Sequence, residues 1–238
     1  MAEIIYGKNS IKDILNSNKI QKLYLSKNHQ DFYKKAKQLK IAVEIVDNKF
    51  LDKMVNNANH QGMVAKVDDY KLSSVEEILS GIPDNELGFI VILDEISDPH
   101  NFGAIIRSAL GAGVHGIIIK KHNSCKLNGT VAKVSAGAIE HMPVSEVTNI
   151  SSTIKLLKER GYWIYGADAH KSSDYRLPKY DTPIVLVIGS EGKGITRLVK
   201  EHCDVFVHLP MGKNLESLNA SVASGILMYE IYSKRNPI

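Results

Sequence analysis

Leu93-Asp-Glu-Ile-Ser-Asp98-Pro99-His100-Asn101-Phe-Gly103-Ala-Ile-Ile-Arg107 places the end of an apolar strand, a proline-containing turn and a small-residue helix in that order. This is the repeating step of a parallel sheet, in which each strand leads from its carboxyl end into a helix that covers the sheet. Outward from this stretch the chain keeps alternating. The pattern gives strands at 88–93, 115–119, 162–166, 183–188 and 204–208. Helices are expected at 103–112, near 128–136, and at 150–160, 195–201 and 217–233. The expectation is an α/β fold with a mostly parallel sheet buried on both faces.

The first third reads as a separate α/β module. Asn9 or Ser10 is placed to cap a helix carrying Ile11, Ile14 and Leu15, followed by a strand at 20–25, a Lys-rich helix at 29–40 and a strand at 42–46. Asp47 then caps a helix bearing Phe50, Leu51, Met54 and Val55, and a strand at 62–67 closes the unit. Residues 68–87 carry the polar run Asp68-Asp69-Tyr70-Lys71, the capping-box pattern Ser74-Val75-Glu76-Glu77 and the turn Gly81-Ile82-Pro83-Asp84-Asn85. The reading is a domain at 1–70, a linker with one short helix at 71–87, and a second domain at 88–238.

Composition narrows the function classes. At 238 residues with 44% hydrophobic and 24% charged content, the chain is an ordinary globular one. Its apolar runs are too short to span a bilayer, the amino terminus lacks a secretory h-region, and a cytoplasmic location is the expectation. Cys125 and Cys203 are too few for a disulfide framework, and the nine histidines show no ligand spacing, so no metal is expected. The net charge of +4 is unevenly spread: residues 1–71 hold 13 Lys, no Arg and 8 acids, a balance of +5 against −1 for the remainder. A basic module on a neutral body fits a polyanion held by one domain while the other does chemistry; a solvated Lys-rich surface is the alternative.

Two glycine-rich stretches imitate nucleotide motifs. Gly111-Ala-Gly113-Val-His-Gly116 matches G-x-G-x-x-G, yet it ends a helix and enters a strand, the reverse of the order that presents helix N–H groups to a pyrophosphate. Gly189-Ser-Glu-Gly192-Lys193-Gly194-Ile-Thr196 lacks P-loop spacing, but it does leave a strand end and open a helix, where parallel sheets collect ligands. Glu191 in this turn is either a functional acid or a favourable charge at the next helix start. Leu209-Pro210-Met211-Gly212-Lys213-Asn214 offers apolar groups to a planar ligand or to the core. Glu216-Ser217-Leu218-Asn219-Ala220-Ser221 opens the last helix with more hydroxyls and amides than capping needs. Arg107, read as lying in the first turns of its helix, opposes the helix dipole unless an anion visits; an exposed snorkelling arginine is the alternative.

Together these residues resemble the SpoU (TrmH-type) branch of the SPOUT RNA ribose methyltransferases, closest to bacterial enzymes of the 23S rRNA guanosine 2′-O-methyltransferase type. Asp98 to Arg107, Val187-Ile-Gly-Ser-Glu-Gly192, and Leu209-Pro-Met211 running on to Ser217-Leu-Asn-Ala-Ser-Val-Ala223 match three family motifs in order, and Ala132 to Glu140 also fits. The first module resembles the family's ribosomal-protein-like (L30e-like) RNA-binding domain, with Tyr6-Gly-Lys-Asn9 and His60-Gln-Gly62 as its signatures. The resemblance implies RNA contacts by Lys8, Asn9, His60 and Gln61, with Lys8 where many relatives carry arginine. It implies a trefoil-knotted catalytic domain and a homodimer with its site near the subunit interface. It also implies S-adenosylmethionine held by Gly189, Leu209 and Leu218 with Ile188 and Met211 nearby. Arg107 is implied to activate the ribose hydroxyl with help from a substrate phosphate, although an ordinary guanidinium is a poor base. Asn101, Glu191, Ser217 and Asn219 are implied to organise the site.

Three other readings stand beside this one. A tRNA ribose methyltransferase is disfavoured by the extra first module, because the simplest tRNA enzymes of this branch lack it. A non-catalytic ribosome-assembly factor would not require all five polar site residues. A nicotinamide oxidoreductase is opposed by the reversed order at Gly111 to Gly116. DNA and membranes are not expected partners.

Overall fold

A computed structural model describes residues 3–15, 19–68, 70–168, 172–213 and 217–237. The chain divides into two compact units, Met1–Tyr70 with Asn128–Lys133, and Lys71–Leu127 with Val134–Ile238. The division differs from the one read in the sequence. Residues 71–87, expected as a linker, fold with the second unit, and Asn128–Lys133 returns to the first.

The first unit contains β1 (Glu3–Tyr6), α1 (Lys8–Ile14), β2 (Ile20–Leu25), α2 (Gln30–Gln38), β3 (Val43–Ile45), α3 (Asn48–Met54) and β4 (Met63–Val67). Its sheet runs β1-β4-β2-β3. Strand β4 is covered on both sides because successive side chains alternate. Met63, Ala65 and Val67 join Ile11, Leu15, Leu23 and Ala36 in one cluster, while Val64 joins Leu51 and Val55 in another. Asp47 caps α3 as expected, accepting from the Phe50 amide at 2.8 Å. Helix α1 instead begins at Lys8 behind Gly7, with no side-chain cap, so neither Asn9 nor Ser10 plays that part. The strand β1 is a further departure. Four residues carry too little periodicity to read locally, and they are ordered as a strand by antiparallel pairing from Glu3↔Val67 to Tyr6↔Val64.

The second unit follows with α4 (Val75–Ser80), β5 (Phe89–Asp94), α5 (Pro99–Gly111), β6 (Gly116–Lys120), β7 (Val144–Val147), α7 (Ile150–Glu159), β8 (Trp163–Ala167), β9 (Ser173–Asp174), β10 (Ile184–Gly189), α8 (Arg197–Lys200), β11 (Val205–His208) and α9 (Ala220–Arg235). Helix α6 (Gly129–Val134) lies almost wholly in the segment that returns to the first unit. The sheet runs β7-β6-β5-β10-β8-β11-β9, and every pairing in it is parallel. Ile90, Ile92, Ile118, Val185 and Val187 face Ile154 and Leu157 of α7 and Val75 and Ile78 of α4. Phe89, Val91, Leu93, Leu186 and Ile188, of the opposite parity, are buried as well, as a sheet covered on both faces requires.

Packing explains why 71–87 is no linker. Ser74 and Glu77 form the expected capping box, with bonds of 3.1 and 2.6 Å, worth about 1 kcal/mol. The helix they start then buries Val75 and Ile78 in the core of the second unit. The glycines of the false nucleotide motif are accounted for here too. Gly113 turns the chain at φ +68°, and a side chain on Gly116 would strike Ile78 at 2.5 Å. Near the carboxyl end of α9, Arg235 donates to the carbonyls of Tyr180, Leu87 and Thr182 at 3.0, 2.8 and 2.6 Å.

Two stability measurements follow. Gly116→Ala should overpack the contact with Ile78 and cost about 1–3 kcal/mol, read as a lower denaturation midpoint with unchanged slope. Burial pushes the Cys203 thiol up to about 12 and raises the phenols of Tyr162, Tyr165 and Tyr180. The unfolded chain releases these protons near their ordinary values of about 8.5 and 10, so the stabilisation holds below that range and is lost as pH rises through it. The melting temperature should fall progressively above about pH 9.

Candidate active site

The site is built where β5 and β10 end side by side, with Asp94 in register with Gly189. Beyond β5, Asp98 caps α5 by accepting from the amides of His100 and Asn101, both at 3.2 Å, and Pro99 occupies the first turn. The helix therefore starts four residues earlier than the expected 103, because an Asp-Pro start outcompetes Gly103 as a boundary. Asn101 is thus a first-turn residue, 9% exposed. Arg107 moves to the third turn, where the helix dipole no longer acts on it, so the dipole reading of this residue fails. What remains is an exposed guanidinium with no hydrogen bond or ion pair among the described residues.

Beyond β10, Ser190 and Gly194 close a tight loop through backbone bonds of 3.2 and 2.9 Å. A side chain on Gly189 would lie 2.1 Å from the Gly194 carbonyl carbon, so closure of the loop itself demands glycine there. The buried carboxylate of Asp94 anchors the loop's far end, one oxygen accepting from the Thr196 amide at 2.7 Å. Its other oxygen is buried without a partner among the described residues. Sequence reading passed over Asp94, although its place at a strand's carboxyl end was a usable signal.

At the loop's apex, Glu191 Oε1 accepts from Asn101 Nδ2 at 3.1 Å, Asn219 Nδ2 at 2.5 Å and the Ala220 amide at 3.0 Å. Asn219 Nδ2 also donates to Asn101 Oδ1 at 2.9 Å. Asn219 Oδ1 caps α9, accepting from the Ser221 and Val222 amides. Three motifs scattered along the sequence so meet in one triangle of side chains. The reading of Glu191 as a charge at a helix start holds, except that the helix is α9 and not α8.

Beside this triangle, a cleft of about 160 Å³ is lined by Leu209, Met211, Ser217, Leu218, Ala223 and Leu227, with Ala167, Asp168 and His208 at the ends of β8 and β11. The structure thus brings together Leu209, Met211, Leu218 and Ser217 as expected. Ile188 and Gly189 do not line it; Ile188 is 3% exposed within the sheet. Asp168, missed in the sequence, has an 8% exposed side chain in an ion pair with Lys200. Asn214 and Glu216 lie outside the described residues. In the first unit, Lys8, Asn9 and Gln61 are exposed, whereas His60 is 8% exposed and both its ring nitrogens are engaged internally. His60 therefore has a structural part, holding a loop through both ring nitrogens.

A parallel α/β unit with its polar motifs and an apolar cleft gathered at the strands' carboxyl ends defines a ligand-using enzyme of the open-sheet class. Residues 88–229 match the family model described as the SpoU rRNA methylase family, and residues 4–73 match one described as RNA 2′-O ribose methyltransferase substrate binding. YacO of Bacillus subtilis (strain 168), assigned to the TrmH family of tRNA/rRNA methyltransferases, is 46% identical over 99% of this chain and 97% of its own length. The AdoMet-bound rRNA methyltransferase of Sinorhizobium meliloti superposes with a TM-score of 0.68 and 24% identity, over 100% of this chain and 88% of that one. The A. aeolicus TrmH/SpoU tRNA modifying enzyme gives 0.59 and 28%, over 67% and 81%. The chain belongs to the SpoU (TrmH-type) family of RNA 2′-O-ribose methyltransferases.

The triangle makes a separable prediction. Glu191→Ala removes an exposed acceptor and should cost little stability, yet it frees Asn101 and the start of α9. A misplacement of about 1 Å at a reacting centre costs on the order of 100-fold, so methyl transfer should fall by that factor while the thermal midpoint moves by a few degrees at most.

Proposed function

We propose that this chain transfers the methyl group of S-adenosylmethionine to the ribose 2′-hydroxyl of a guanosine in 23S rRNA, acting in the cytoplasm as a homodimer. The observation that carries the proposal is the meeting of Asn101, Glu191 and Asn219 beside the Leu209–Met211–Leu218 cleft, at the carboxyl ends of the central strands, where α5 with its Arg107, unpaired among the described residues, also starts. Support for the cofactor comes from the apolar walls of the cleft, which suit a purine ring; Leu209 and Leu218 are the residues proposed to meet its polar edges through their backbone groups. When bound, the cofactor supplies an electrophilic methyl carbon on a sulfonium.

The chain's own residues then have distinct tasks. Arg107 binds a substrate phosphate and orients the adjoining ribose, since a guanidinium matches phosphate bidentately. As the oxygen–carbon bond forms and the carbon–sulfur bond breaks, the hydroxyl proton passes to solvent and Arg107 stabilises the charge developing on oxygen. Asn101, Asn219 and Glu191 fix the loop and helix starts around the ribose, and Ser217 offers it a hydroxyl. Lys8, Asn9 and Gln61 are the RNA contacts proposed for the first unit, and a trefoil-knotted path is proposed for the second.

The rRNA assignment is supported by the description of the family matched over 88–229. A tRNA substrate is the competing reading, but the tRNA enzyme aligns with only 67% of this chain. The homodimer is supported by Val222, Ile226 and Tyr229, 50, 38 and 48% exposed, which form an apolar stripe along α9 at helical spacing. No described helix is long and apolar enough to cross a membrane.

Purified protein, labelled cofactor and rRNA or tRNA test the proposal directly. Label should enter ribose in 23S rRNA; label on a base, or in tRNA alone, overturns it. Arg107→Ala should lower kcat by about 100- to 1,000-fold. Affinity for RNA should fall only modestly, and unimpaired transfer would remove Arg107 from the mechanism.

A further inference from the structure

The first unit carries a cavity of about 570 Å³ in which seven of the eleven lining residues are amides or imidazoles. Asn28 comes from the turn after β2, Asn48 from the start of α3, Asn57 and Asn59 from the turn after α3, and Gln61 from the approach to β4. None of the four asparagine side chains makes a hydrogen bond among the described residues. Gln61 commits its oxygen to the Lys8 amide at 2.9 Å and keeps its amino group unengaged.

The frame around these amides is fixed from beneath. His60 Nδ1 accepts from the Gly62 amide at 2.9 Å, so Nε2 carries the proton it donates to Asp52 Oδ1 at 3.0 Å. Gly62, at φ +74°, lies so close to His29 that a side chain would meet the ring at 2.6 Å. Asn57 and Gln61 are held at positive φ, 60° and 51°. Buried bonds and positive-φ backbone thus frame a solvent-open cavity whose exposed amides are left to water or a ligand. Asp52 is the lining carboxylate, and its charge faces His60. Exposed Lys27, Lys49 and Lys53 each stand next in sequence to a lining residue.

Several amides presenting both donors and acceptors, a flat imidazole at His29 and a lysine rim match one chemistry: an unpaired nucleobase, read on its edge and stacked on its face, with flanking phosphates held by lysine. We infer that this cavity reads a splayed-out base of the RNA substrate. The inference rests on the proposal that RNA is the substrate, and it adds a base-selective subsite remote in sequence from the methyl-transfer motifs.

Binding is measured on the full chain with fluorescent ten-nucleotide homopolymers of A, C, G and U and with a fully paired RNA hairpin. The expected result is a preference for one homopolymer over the other three and over the hairpin. Asn28→Asp/Asn59→Asp, both at exposed positions, should reduce that preference about tenfold and shift the ranking toward C, whose amino group suits a carboxylate. Asn59→Gln should keep much of it, and Lys27→Gln should weaken all probes equally. Equal affinities for all probes in the unaltered protein overturn the inference, as does a uniform loss in the double variant. Because binding is read without turnover, a failed methyl transfer with intact base preference would overturn the catalytic proposal alone.

Discussion

Everything at the active site depends on the parallel pairing of β5 with β10, from Phe89↔Ile184 to Asp94↔Gly189. These two strands are 95 residues apart in sequence, so only the sheet brings them together. Their common end sets Asp94 beside Gly189, lets the carboxylate reach the Thr196 amide, and fixes both ends of the loop that lifts Glu191. From there, Glu191 reaches the first turns of α5 and α9. A slip of one residue would take Asp94 out of register with Gly189 and away from the Thr196 amide, so the loop depends on this register.

The polar groups at this end fall into two kinds. Asp94, Asp98 and Asn219 each accept from backbone amides through a side-chain oxygen and so determine where the chain turns. Glu191 and Asn101 link those turns to one another. Arg107, by contrast, is exposed and makes no hydrogen bond or ion pair among the described residues. The first unit repeats the division on a smaller scale: His60 and Asp52 secure a loop, while the amides beside them are left open.

The α/β alternation, the capping box at Ser74 and the cap at Asp47 were legible because each depends on neighbours within four residues. Local reading failed where a distant partner decides. Asp98-Pro99 and Gly103 can each open a helix, and because Asp98-Pro99 does so, Arg107 lies in the third turn, beyond the reach of the helix dipole. Strand β1 exists through its pairing with β4, and 71–87 ceases to be a linker once Ile78 finds the space left by Gly116. His60 belonged to a motif whose chemistry invited a surface role, yet its burial makes it a structural part.

By itself the sequence determined the order of strands and helices, the basic character of the first third, and the three motifs that mark the family. Each is local in the chain, or a matter of composition, and needs no knowledge of what packs where. Only the tertiary structure decided that Asn101, Glu191 and Asn219 share hydrogen bonds, that Asp94 is buried and the Asp168 side chain shielded at the strand ends, and that four asparagines and Gln61 line one cavity with His60. The physical reason is that a hydrogen bond requires two atoms within about 3 Å. Sequence fixes which groups exist, and the register and packing of the sheet fix which of them come that close.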